Sequence, residues 1–149
     1  MSSHSPTRPA ALPAQKLDEL VRRLVDALHP LRIYLFGSHA RGTAREDSDV
    51  DVMIVHDPEQ EPYDVIRRAY AAIRDLPTPI ELHVRDARTF GRRCRDAGTI
   101  EHEVVATGHL VYQGRIPGER RVGHRGPTLQ VCNGSARRWI MTLPPETHP

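Results

Sequence analysis

The stretch "LFGSHARGTAREDSDVDVMIV", Leu35 to Val55, decides the reading of this chain. An apolar run stops at Gly37-Ser38, a polar loop follows, and a second apolar run restarts behind Asp49 and Asp51. On extended backbone, Asp49 and Asp51 point to one face and Val50 and Val52 to the other. Same-face positions two apart have Cα atoms about 6.6 Å apart. Carboxylates that close repel unless a cation lies between them. Met53 to Val55 are continuously apolar, as in a strand buried on both faces. The two acids are therefore expected to open on a cleft rather than to form a solvated face.

Working outward, "LRIYLF" (Leu31–Phe36) predicts the preceding strand, broken by Gly37. "SHARG" predicts a short helix with Ser38 as its N-cap. Upstream, Leu17, Leu20, Val21, Leu24 and Leu28 form one helical stripe over Gln15 to His29, which Pro30 ends. Downstream, Pro62 suits a helix first turn, with Val65, Ile66, Ala69 and Ile73 on its apolar side. "PIELHV" (Pro79–Val84) is a third strand, with Ile80, Leu82 and Val84 inward and Glu81 and His83 on the opposite face. Asp86 suits the cap of a helix to about Arg95. A further helix over Thr99 to Ala106 would end at Gly108 as a C′ glycine, before a last strand, "HLVY". The expected fold class is α/β, a small mixed sheet of three to four strands flanked by helices.

The folded domain is expected over residues 15–114. Residues 1–14, rich in Ser, Pro and Ala, and the basic Pro/Gly-rich tail 115–149 read as disordered. At 149 residues, 38% hydrophobic and 27% charged, the chain suits one globular domain. The tail holds six Arg against two Glu, +4 of the formal +2, so residues 1–114 sum to −2. That balance argues against direct nucleic-acid binding by the domain. Cys94 and Cys132 lack C-x-x-C spacing, so no zinc knuckle is indicated. No apolar run approaches a membrane span, and the N-terminal stretch has no signal-peptide core, so a cytoplasmic protein is expected.

Gly37 has no Cβ and admits a phosphate close to the backbone. The Ser38 hydroxyl and the first-turn N–H groups of the following helix can donate to that phosphate. Asp49 and Asp51 can hold one hard cation or a pair about 3.5–4 Å apart, for which Mg²⁺ is the natural ion. Glu81 can supply a third carboxylate, binding metal or taking a proton from an acceptor hydroxyl. Arg41 is open between an ion pair that braces the aspartate strand and a contact to the substrate. His83 shares the face of Glu81 and reads as structural. His102 and Glu103 lack the spacing of a metal-binding helix and read as a solvated face, as do Glu46 and Asp47 in their loop.

"GSHARG" followed by "SDVD" resembles the G-S-x-A-R-G…S-D-x-D signature of the polymerase-β-type nucleotidyltransferases. Length and layout resemble the minimal nucleotidyltransferases, antitoxin partners of HEPN-domain toxins, from about Leu17 to Tyr112. The resemblance implies the polymerase-β-like nucleotidyltransferase fold. It also implies Mg²⁺-dependent transfer of AMP from ATP to a hydroxyl on the toxin, with release of pyrophosphate. Gly37 and Ser38, with Arg41, would bind the nucleotide; Asp49, Asp51 and Glu81 would be catalytic and hold two metal ions. Glu81 stands where the family more often has Asp. Two alternatives remain open: a small-molecule acceptor such as an aminoglycoside, or a non-catalytic toxin-binding module.

Overall fold

The computed structural model describes residues 12–114. The expectations for residues 1–11 and for the tail 115–149 lie outside the described residues. The chain runs α1 (Ala14–Leu28), β1 (Arg32–Phe36), α2 (Ser38–Arg41), β2 (Val50–His56), α3 (Pro62–Ile73), β3 (Ile80–Asp86), α4 (Ala87–Arg93), α5 (Ile100–Thr107) and β4 (His109–Gln113).

The four strands form one mixed sheet in the order β3-β2-β1-β4. β1 is antiparallel to both β2 and β4, whereas β2 and β3 are parallel. Parallel neighbours need a crossover, and α3 supplies it. Pro62 opens that helix, where its missing N–H costs nothing.

Strand alternation sorts the core into two clusters, one on each face of the sheet. Val50, Val52, Ile54 and Leu82 pack with Leu20, Leu24 and Leu28 of α1 and Val65 and Ala69 of α3. Tyr34, Phe36, Met53 and Val55 pack on the other face with Phe90 of α4 and Val104 of α5. Met53, Ile54 and Val55 are all fully buried, the double-sided burial read from their unbroken apolar run. Each such side chain contributes about 1.5–3 kcal/mol on leaving water.

Three local expectations are corrected. The N-cap of α2 is Gly37, not Ser38; Ser38 is the first helical residue and makes no capping bond. β2 begins at Val50, so Asp49 is the last loop residue before the strand. Gly108 is not a left-handed C′ glycine, because its φ of −80° is open to any residue. Its constraint is space: a Cβ there would meet the Val104 carbonyl oxygen at 2.3 Å and that of Leu35 at 3.0 Å. Among the described residues, no helix is long and apolar enough to cross a membrane.

Candidate active site

The turn from β1 into α2 is shaped around Asp51. Gly37 has φ +72° and ψ −150°, a backbone state reserved for glycine. A Cβ on Gly37 would stand 2.3 Å from Asp51 Oδ2, so the glycine and the carboxylate are in contact. The two are neighbours because Phe36, the last residue of β1, pairs with Asp51 across the antiparallel ladder.

Two histidines fix α2 at that position. His39 Nε2 donates to the Ser48 carbonyl at 3.2 Å, tying the helix to the loop before β2. His109 Nε2 donates to the Ala40 carbonyl at 2.9 Å, tying it to β4. Neither role could be read from sequence, because each partner is a backbone carbonyl brought near only by the fold. Ser48 in turn accepts from the Arg45 N–H at 2.8 Å and tightens the loop that delivers Asp49.

On its other side Asp51 lies directly opposite Glu81 in the parallel pairing of β2 with β3. Both point to the face of Phe36 and Met53, away from the apolar cavity of about 170 Å³ that Leu12, Leu20, Val50, Leu76 and Ile80 line on the opposite face. Asp51 is half-buried, Glu81 exposed. Ligand atoms of Asp51, Glu81 and His83 lie within 4.8 Å of one another. His83 Nε2 is 3.6 Å from Glu81 Oε1, and its ring stands edge-on to Phe36 with centroids 5.3 Å apart. His83 therefore stands beside the acids while its ring packs on Phe36. Its spacing of two from Glu81 was the available signal.

Burial pushes the Asp51 carboxyl above its ordinary value. The neighbouring charge of Glu81 adds to that shift, His83 opposes it, and Asp49 contributes the smallest part. Asp49 is exposed and stands outside the tight group, yet close enough for its charge to be felt. Two crowded acids, one disfavoured as an anion, form a place where a cation relieves repulsion.

Arg41 does not brace the aspartates. Its Nη1 lies 3.2 Å from Glu103 on α5, and both side chains are nearly half exposed. Glu103 is thus paired rather than merely solvated, and His102 Nδ1 bonds the Cys94 carbonyl at 3.0 Å. Glu46 and Asp47 are exposed in the loop, as read. Beside this lies an ion cluster unforeseen from sequence: Glu101, fully buried, accepts from Arg85 Nε, and Arg93 Nε stands 3.1 Å from its Oε2 without hydrogen-bond alignment. It ties β3, α4 and α5 together below the site.

This chain is similar in fold to several solved structures. One is a protein from Sulfolobus solfataricus described as a candidate nucleotidyltransferase, 20% identical, covering 69% of this chain and 85% of that one, with a TM-score of 0.47. A second is a toxin–antitoxin structure with AMP-PNP, 20% identical over 66% of this chain and 73% of that one, with a TM-score of 0.44. A third is a toxin–antitoxin MntA-HpeT mutant in which two Asp are replaced by Glu, 20% identical over 70% and 76%, with a TM-score of 0.41. No curated protein matches the chain. The family model for the nucleotidyltransferase domain matches residues 15–98, more than half of the sequence, from the second residue of α1 through α4. The chain belongs to the nucleotidyltransferase domain family.

Proposed function

We propose that the chain transfers AMP from ATP to a hydroxyl of a partner protein, and that this partner is a HEPN-type toxin silenced by the modification. The observation that carries the reading is the pairing of Asp51 with Glu81 against Gly37, inside a nucleotidyltransferase domain.

Gly37 and Ser38 hold the triphosphate. Gly37 makes room for the Asp51 carboxylate beside the turn, and the first-turn N–H groups of α2 have no acceptor within their own helix. Arg41 contacts the phosphates. Its pair with Glu103 is half exposed, worth at most about 1 kcal/mol, and so yields easily to a phosphate.

The carboxylates fit Mg²⁺: they are hard oxygen donors, crowded enough that Asp51 resists ionising without a cation. Asp49, Asp51 and Glu81 would hold two such ions, whose chemistry is to neutralise phosphate charge and lower the pKa of the acceptor hydroxyl. The acceptor oxygen attacks the α-phosphorus, the new O–P bond forms as pyrophosphate leaves, and Glu81 takes the hydroxyl proton. Glu81 suits that part because its side chain is 57% exposed on the edge strand β3. An acceptor must arrive there from outside, which favours a partner protein that brings its own surface.

The test is incubation of the purified chain with labelled ATP, Mg²⁺ and the protein encoded beside it. Label is expected on that partner, and expected to vanish with Asp49→Ala plus Asp51→Ala. No transfer by the wild type, or equal transfer by the double variant, contradicts the proposal.

A further inference from the structure

The open end of the sheet gathers a nitrogen donor as well as oxygens. We propose that His83 is a ligand of the divalent metal at this site, beside Asp51 and Glu81, and that it raises the site's affinity for Mn²⁺ relative to Mg²⁺. The inference rests on the metal-dependent reading above and concerns what the imidazole adds for Mn²⁺ over Mg²⁺.

The sheet delivers the imidazole. Positions 81 and 83 of β3 share a face, and Asp51 and Met53 stand opposite them in register. The edge-on contact with Phe36, 62° between the planes, holds one side of the His83 ring. Its side chain is 25% exposed, so the ring is confined without being sealed off. His83 Nε2 and Glu81 Oε1 are 3.6 Å apart, longer than a hydrogen bond. Both remain close enough to reach a common cation, as does an oxygen of Asp51.

Chemistry then discriminates between ions. Mg²⁺ prefers oxygen donors and gives up its waters reluctantly. Carboxylates suit Mn²⁺ as they suit Mg²⁺, and Mn²⁺, though the weakest of the first-row transition ions for a nitrogen donor, gains more from an imidazole than the harder Mg²⁺ does. A set of two carboxylates and one imidazole therefore gains more with Mn²⁺ than a set of carboxylates alone.

The experiment titrates the metal-free full-length chain with Mn²⁺, read by the electron paramagnetic resonance signal of the free ion, and with Mg²⁺ by calorimetry. No nucleotide or acceptor is present. His83→Ala is compared with His83→Gln, which keeps a polar side chain should the alanine variant fail to fold; melting curves check both. The wild type is expected to bind Mn²⁺ at least about 10-fold more tightly than Mg²⁺. Folded His83→Gln is expected to lose about 10-fold in Mn²⁺ affinity and to keep its Mg²⁺ affinity within about twofold.

Unchanged Mn²⁺ affinity in folded His83→Gln, a parallel loss for both ions, or no Mn²⁺ uptake by the wild type overturns the inference. Failure of AMP transfer alongside His83-dependent Mn²⁺ binding overturns the proposed function alone. Active transfer with His83-independent Mn²⁺ binding overturns this inference alone.

Discussion

Gly37 lies against the carboxylate of Asp51, so close that a Cβ on the glycine would stand 2.3 Å from Oδ2. The acid and the phosphate-side turn are therefore one unit, and neither can shift without the other. Gly37→Ala adds strain at φ +72° and pushes directly on the carboxylate. It is expected to cost about 1–2 kcal/mol in stability. AMP transfer should fall by about 100-fold or more, since displacement of a reacting group by about 1 Å has that effect. Rates and melting curves of the purified variant check both expectations; wild-type activity would show that the contact is unimportant.

Asp51 is a group that the metal-free fold disfavours as an anion, first through burial and then through Glu81. Its raised pKa means that the ionised form costs stability at neutral pH. Asp51→Asn removes that cost. The variant should melt higher than the wild type in chelator at pH 7.5, and divalent ions should raise only the wild type's melting temperature. Activity should be lost. A variant that melts lower in chelator contradicts this account of the site's electrostatics.

The strands around the site were legible because each carries a strong local signal. "LRIYLF" and "DVDVMIV" are β-rich runs on either side of a glycine-serine break, and alternation sends Glu81 to the face of Asp51. What escaped the sequence depends on contacts between distant segments. His39 and His109 bond backbone carbonyls that have no sequence signature. Nothing in the sequence marks Glu101 as buried, because Arg85 and Arg93 reach it from β3 and α4. Ser38 carries the right chemistry for a cap, but the geometry at Gly37 moved the cap one residue back. Asp49 fell outside β2 by one position, the usual uncertainty of an element's end.

The Glu101 cluster gives a pH dependence of stability. Burial works against the charge of Glu101, but its own backbone N–H, Arg85 and Arg93 outweigh it and hold the pKa below its ordinary value. A depressed folded pKa means that the stabilisation is whole above the unfolded pKa of about 4.3 and lost as pH falls through the folded pKa. The destabilisation of Glu101→Gln relative to wild type should therefore be largest at neutral pH and shrink toward pH 3. Arg85→Ala with Arg93→Ala should cost more, about 3 kcal/mol, because it strands a buried carboxylate. Urea melts across this pH range measure both.

Gly108 is held by space rather than by backbone conformation. Gly108→Ala would drive a methyl group into the Val104 and Leu35 carbonyl oxygens, neither of which is a flexible tip. A loss of about 1–3 kcal/mol is expected, from the shift forced on α5 and β1. Because β1 also carries Gly37 into place, transfer activity should weaken with stability. A neutral effect in denaturant titrations would show that the α5–β4 junction relaxes freely.

The direct test of the acid pair is calorimetry of ATP binding, with and without divalent ion, in the wild type and in Asp51→Asn and Glu81→Gln. The wild type should take up ATP at least about 10-fold more tightly with the ion present, and each variant should lose that gain while staying folded. Equal metal-assisted uptake by the wild type and by both variants would contradict the claim that Asp51 and Glu81 hold the ion beside the nucleotide.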